Sequence, residues 1–199
     1  NTQATAGDQI GQINVTAGLT LLAATTGTTR LSLQLNGATS TLSTMGYAGT
    51  SLADMQTFID NLPTTNLATI NGLAGNLSGH DYVNVGGQFA VNTLGRIVIS
   101  NFGSFTPNTG DVFNLLDWVS AVGFGSFGAG FYEGVRLQTG SESLAAQDFD
   151  LPTLTGGAMW DTSLFASHGV IVVVPEPGRM LLLMLGLMAL FFRRRRRQD

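Results

Sequence analysis

The chain is 199 residues long and holds nine basic residues, all arginine, against thirteen acids, with charged residues only 11% of the total and no cysteine. The missing cysteines exclude disulfide staples and thiolate metal sites. Without residues 175–199 the chain keeps three arginines (Arg30, Arg96, Arg136) against eleven acids, a net charge of −8; a surface of that sign repels phosphate, so nucleic acid is excluded as a partner.

Residues 1–174 are long enough for one domain with a substantial core, and low charge with 24 glycines there points to β structure joined by uncharged turns. The chain opens on Asn1 without a basic, then apolar, leader. Export requires one, so the expectation is a processed chain or the C-terminal part of a longer one.

Apolar and polar residues alternate from the start. Ile13 and Val15, then Leu19 and Leu21, alternate with Asn14, Thr16 and Thr20. Leu31, Leu33 and Leu35 share one face of a strand, and Ser32, Gln34 and Asn36 the other. Val83 and Val85, Phe89 and Val91, and Ile97 and Ile99 continue this period of two, the signature of half-buried strands. Asn36-Gly37, Gly86-Gly87 and residues 108–111 supply turn chemistry. The threonines of 25–29 suit an exposed strand face, with a hydroxyl ladder for carbohydrate as the weaker alternative.

Residues 40–79 read as an insertion. Ser51 caps a helix with Asp54 in its first turn; Leu52, Met55, Phe58, Ile59 and Leu62 follow at helical spacing, and Pro63 is expected to end it. This helix is expected to lie as a lid on the strands.

Residues 80–118 combine an Asp-aromatic pair (Asp81-Tyr82), alternating strands, and a Phe-Thr-Pro…Gly-Asp turn into an apolar strand. That pattern resembles the repeats of autotransporter-like passenger proteins and of many PEP-CTERM surface proteins. The resemblance implies an all-β, parallel β-helix or solenoid-like body, with a β-sandwich as the alternative.

Chemistry-bearing patterns in the body are weak. Residues 123–128 match G-x-G-x-x-G, with Asp148 twenty residues on, but the following Ala129-Gly130-Phe131-Tyr132 is poor helix. His80 and His168 lack a second ligand at metal spacing, and His80 is read as a turn cap. Asp111, Asp117, Glu133, Asp148 and Asp150 could pair for glycoside hydrolysis only if the fold brought two together. No serine lies in G-x-S-x-G. The sequence thus assigns no catalytic residue, cofactor or metal, and the expected role is that of a non-enzyme.

The tail differs. Pro175, Glu176 and Pro177 precede an apolar run from Met180 to Phe192, and Arg193, Arg194, Arg195, Arg196 and Arg197 follow it. Thirteen apolar residues make a helix of roughly 20 Å, shorter than a hydrocarbon core of about 30 Å. Arg179 and Arg193 can snorkel to recover part of the mismatch. Carrying each arginine into a bilayer costs about 2.5–3.5 kcal/mol, so the cluster is expected to stop transfer on the cytoplasmic side.

This order of parts resembles the bacterial PEP-CTERM proteins, whose tail is recognised by exosortase, a membrane-embedded cysteine peptidase thought to cut near the PEP motif. The resemblance implies an exported body (1–174), a sorting tail (175–199) and a transmembrane segment at 180–192. It also implies exosortase and the inner membrane as transient partners, and a destination at the cell surface or in an extracellular polysaccharide matrix. There the body is expected to be structural or adhesive; the alternative is a polysaccharide-binding or polysaccharide-active protein whose active region lies in the body or upstream.

Overall fold

A computed structural model of the chain describes residues 11–21, 29–49, 51–65, 79–87, 89–91, 95–118, 126–127, 136–140 and 149–177. The first strands are β1 (Gln12–Val15), β2 (Leu19–Leu21), β3 (Thr29–Leu35) and β4 (Ser40–Thr41), followed by helix α1 (Leu52–Thr65). Next come β5 (Tyr82–Val85), β6 (Phe89–Val91), β7 (Gly95–Asn101), β8 (Asp111–Asn114), β9 (Leu116–Trp118) and β10 (Ser126–Phe127). The last are β11 (Leu137–Gln138), β12 (Phe149–Asp150), β13 (Ala158–Asp161), helix α2 (Phe165–His168) and β14 (Val170–Pro175).

These strands form four small open sheets. Three are parallel and three-stranded, in the orders β1-β5-β9, β2-β6-β10 and β3-β7-β12. The fourth and largest is antiparallel, in the order β11-β13-β14-β8-β4. The expected parallel β-helix body is therefore corrected to a mostly-β arrangement with two short helices among the described residues. Among the described residues each parallel ladder has three strands and does not close, and an antiparallel sheet provides the widest layer. Four sheets also depart from the two-layer sandwich. Period two predicts strands and their faces, but pairing direction is set by long-range contacts that it does not encode.

Alternation places the core as expected. Leu31, Leu33 and Leu35 are buried while Ser32 and Gln34 are exposed. Leu31, Ile97 and Phe149 stand in register across β3, β7 and β12, and the Phe149 ring stacks on Phe165 at 4.1 Å between centroids. This main core also holds Val83, Val85, Phe89, Phe113, Leu116, Trp160, Ile171 and Val173.

A second core lies on the other face of the antiparallel sheet. There Met55, Ile59 and Leu62 of α1 meet Leu42, Met45, Val112, Val170, Val172 and Val174. The helix is thus the expected lid. Ser51 Oγ accepts the Asp54 amide at 3.1 Å and donates to Asp54 Oδ2 at 2.6 Å, closing its N-terminus. It runs two residues past Pro63 rather than stopping there. Residues 40 and 41, at the start of the 40–79 stretch read as an insertion, are the edge strand β4 paired with β8.

No helix among the described residues is long and apolar enough to cross a membrane. The expected transmembrane helix at 180–192, and the arginines at 193–197, lie outside the described residues.

Candidate functional site

The candidate site is the point where β14 leaves the antiparallel sheet. Val170, Ile171, Val172, Val173 and Val174 are all buried because β14 has β13 on one side, β8 on the other, and a core on each face. Such an unbroken β-branched run is what a strand buried on both faces requires. Pro175 still pairs with Ala158, and the Glu176 amide donates to the Gly157 carbonyl at 2.8 Å. Burial then ends abruptly: Pro175 is half-buried, whereas Glu176 and Pro177 are exposed.

Local chemistry explains that edge. Proline lacks the amide hydrogen needed to extend a ladder, so two prolines around Glu176 terminate the strand. On the partner side, Gly156 and Gly157 both take φ of +75°, which turns the chain into β13 at the same level. At the other end of β14, Gly169 adopts φ +67° and closes α2 through its amide to the Phe165 carbonyl at 2.8 Å. Its Cα faces the Leu116 carbonyl, where a Cβ would collide.

Several other polar groups among the described residues hold the fold. His80 is fully buried rather than a turn cap: Nε2 donates to the Asn114 carbonyl at 2.7 Å and lies 3.1 Å from Thr39 Oγ1, which accepts the Asn114 amide at 2.9 Å. The capping falls to Asp81, whose two oxygens accept the amides of Gly11 at 2.7 Å and Gln34 at 2.8 Å. Burial lowers the pKa of His80, with the Asn114 and Gly37 carbonyls and the Asp81 charge opposing it.

Arg136 ties the lid down. Its Nε meets Asp161 at 2.7 Å, Nη1 meets Asp60 of α1 at 2.9 Å, and Nη2 donates to the Gln56 carbonyl at 3.3 Å. The sequence flagged neither Arg136 nor Asp81 as a positioning residue. Both act across long chain separations that leave no local spacing signal.

The acids considered for glycoside hydrolysis have separate attachments. Asp111 accepts the Asn108 amide at 2.8 Å, and burial raises its pKa against that bond. Asp117 accepts the Tyr82 hydroxyl at 3.2 Å, while burial and then the Asp117 charge raise the pKa of Tyr82. Asp150 sits in β12 beside Val98; Glu133 and Asp148 lie outside the described residues.

His168 Nδ1 lies 2.8 Å from Ser167 Oγ, and burial lowers its pKa, opposed by Asp117. Of the 123–128 stretch, residues 126 and 127 are strand β10 paired with β6, not the start of a helix. Among the described residues no group of three or more His, Asp or Glu could hold a metal ion.

Comparison with known families gives one match: residues 173–197 fit the model of the PEP-CTERM protein-sorting motif. The chain therefore carries a motif for exosortase-dependent sorting, which implies a secreted, membrane-processed precursor. No curated protein and no solved structure matches the chain. The resemblance of the body to autotransporter-like passenger repeats is accordingly not supported.

The matched stretch begins inside β14. Residues 173–175 belong both to the sorting motif and to the central strand of the largest sheet. Glu176 and Pro177 are its first exposed members.

Proposed function

We propose that this chain is an exported cell-surface or extracellular-matrix protein with a structural or adhesive body, delivered by exosortase through Pro175, Glu176 and Pro177. It is a peptidase substrate and not itself an enzyme. The observation that carries the reading is the sorting motif at 173–197, whose PEP element emerges into solvent directly from a buried strand. Exosortase and the inner membrane are the transient partners, and exopolysaccharide is the environment for the mature body. The body of 1–174 and the tail of 175–199 divide those two tasks.

In this reading Pro177 ends the ladder directly after Glu176, whose amide makes its last bond, to the Gly157 carbonyl. The Glu176 carboxylate then serves as the recognition charge.

The test is Glu176→Ala in a host with an active exosortase. The Glu176 bond to Gly157 uses the main chain, so the variant keeps that bond. The expected result is full-length protein held in the membrane fraction while the unaltered chain is released. Equal release of both would remove Glu176 from recognition and overturn this reading.

A further inference from the structure

We propose that β1 is a self-association edge: two copies of this chain pair antiparallel through Gln12, Ile13 and Asn14 about a twofold axis beside Ile13. The sheet β1-β5-β9 of one copy then continues into that of its partner. This surface lies outside the sorting motif and does not depend on the exosortase reading.

The two edges of this sheet differ. Along β9, the Leu115 and Leu116 amides donate to the Gly169 carbonyl at 2.9 and 3.4 Å, so that edge is occupied. Along β1, the Gly11 carbonyl accepts the Tyr82 amide at 3.0 Å and the Val15 carbonyl accepts the Gly86 amide at 2.6 Å, which aims both toward β5. Alternation along the strand therefore turns the amides and carbonyls of Gln12 and Asn14 outward. No described residue pairs with them there. Folded chains blunt such an edge with charge, proline or a cover. Residues 11–21 contain neither a charged residue nor a proline. Ile13, 47% exposed, is the large hydrophobic side chain left open among the described residues.

The chemistry of this edge selects a second copy of the chain. Outside residues 175–199 the net charge is −8, so two copies repel over much of their surface and approach best where charge is absent. Stacking β1 on the partner's β9 is blocked by Gly169, which closes the assembly at two. Setting Gln12 opposite the partner's Asn14, and Asn14 opposite the partner's Gln12, makes two hydrogen-bonded pairs. Each pair exchanges two main-chain bonds, so every outward group of residues 12 and 14 is used. Ile13 then faces the partner's Ile13 across the axis as the close, non-hydrogen-bonded pair, and the two side chains cover each other.

The opposite face agrees with this register. There Asn14 Oδ1 accepts Gln12 Nε2 at 3.0 Å and Asn84 Nδ2 at 3.4 Å. Gln12 beside the partner's Asn14 carries that row of amides across the axis. A slip of one residue would set Ile13 against an amide side chain, so the two faces fix the register.

The chain has no cysteine, so one introduced thiol reports the contact without background. Across a non-hydrogen-bonded antiparallel pair the Cα atoms stand about 4.5 Å apart, within the span of a disulfide. Oxidised with copper phenanthroline, the full chain carrying Ile13→Cys should form covalent dimer at least about tenfold faster than Ser32→Cys, an exposed position on β3. Equal rates at the two positions would mean random collision and overturn the proposal.

Sedimentation of the detergent-solubilised full chain gives an independent reading. The unaltered protein is expected to dimerise with rising concentration. Ile13→Lys sets two like charges on the axis and should weaken that association by at least about tenfold. An unchanged circular-dichroism spectrum of the variant separates lost pairing from lost folding. A monomeric unaltered chain would overturn the proposal. Dimers that survive Ile13→Lys would overturn it too, by putting the contact elsewhere in the chain.

Discussion

His80 shows how one buried polar side chain is tolerated and what it costs. Its ring lies edge-on to Phe113 at 5.9 Å, and Nε2 donates to the Asn114 carbonyl; burial, against that bond, disfavours the charged ring. Nδ1 is buried without a hydrogen-bond partner among the described residues. A buried imidazole with a lowered pKa disfavours protonation in the folded state. Below about pH 6.5 the unfolded chain therefore binds more protons than the folded one. Stability is full above that value and falls as pH drops from it toward the folded-state pKa.

His168, also lowered by burial, acts in the same direction. Asp111, raised by burial, acts in the opposite direction at lower pH, because there the folded chain binds the extra proton. Of the charged groups named here, Asp81 acts on His80 from the adjacent position. The thermal midpoint of the full chain should fall between about pH 7.5 and pH 5.5, and His80→Asn should flatten that slope. Parallel slopes for the two proteins would assign the pH dependence elsewhere.

Among the elements, β14 carries the most. Its five buried apolar side chains contribute roughly 1.5–3 kcal/mol each, or roughly 8–15 kcal/mol together. That is comparable to the whole stability of a typical domain, about 5–15 kcal/mol, so β14 cannot be withdrawn while the rest stays folded.

Its entry point is equally constrained. Gly169 combines a positive φ with a Cα pressed on the Leu116 carbonyl, so Gly169→Ala brings both αL strain and a backbone collision. The expected destabilisation is about 2–4 kcal/mol, read from chemical denaturation monitored through Trp160 and Trp118. Gly103 also has a positive φ, of +56°, but open space around its Cα. Gly103→Ala should therefore cost only the conformational part, about 1–2 kcal/mol. Equal losses at the two positions would refute the collision at Leu116.

At the scale of the whole molecule, charge is segregated. Six of the nine arginines lie in the tail, and the rest of the chain is strongly acidic. In the proposed reading the cluster at 193–197 stops transfer through its summed charge, so it should tolerate Lys and not Ser. Replacing Arg193, Arg194, Arg195, Arg196 and Arg197 together with Ser is expected to weaken retention of the exosortase-negative precursor in the membrane fraction. The all-Lys variant should fractionate normally. Unchanged retention of the all-Ser protein would remove the stop function from these arginines.

Some of this was legible in one dimension. The order Pro-Glu-Pro, apolar run and arginine block is contiguous, so it carries its meaning without any fold, and the family match covers the same stretch. Strand faces and the α1 lid were legible too, because a period of two or of 3.6 residues is local geometry.

The pairing of those strands was not. Whether Leu31 stands beside Ile97, or Val173 beside Trp160, depends on contacts more than ten residues apart, and alternation is identical for parallel and antiparallel partners. The same limit hid the roles of His80, Asp81 and Arg136, each of which takes partners from distant segments.

The sequence by itself thus determined the sorting signal and the inward faces. Only the tertiary structure decided that the signal starts within a strand buried on both faces. That burial depends on what α1, β8 and β13 place around β14, and no residue of β14 encodes its neighbours.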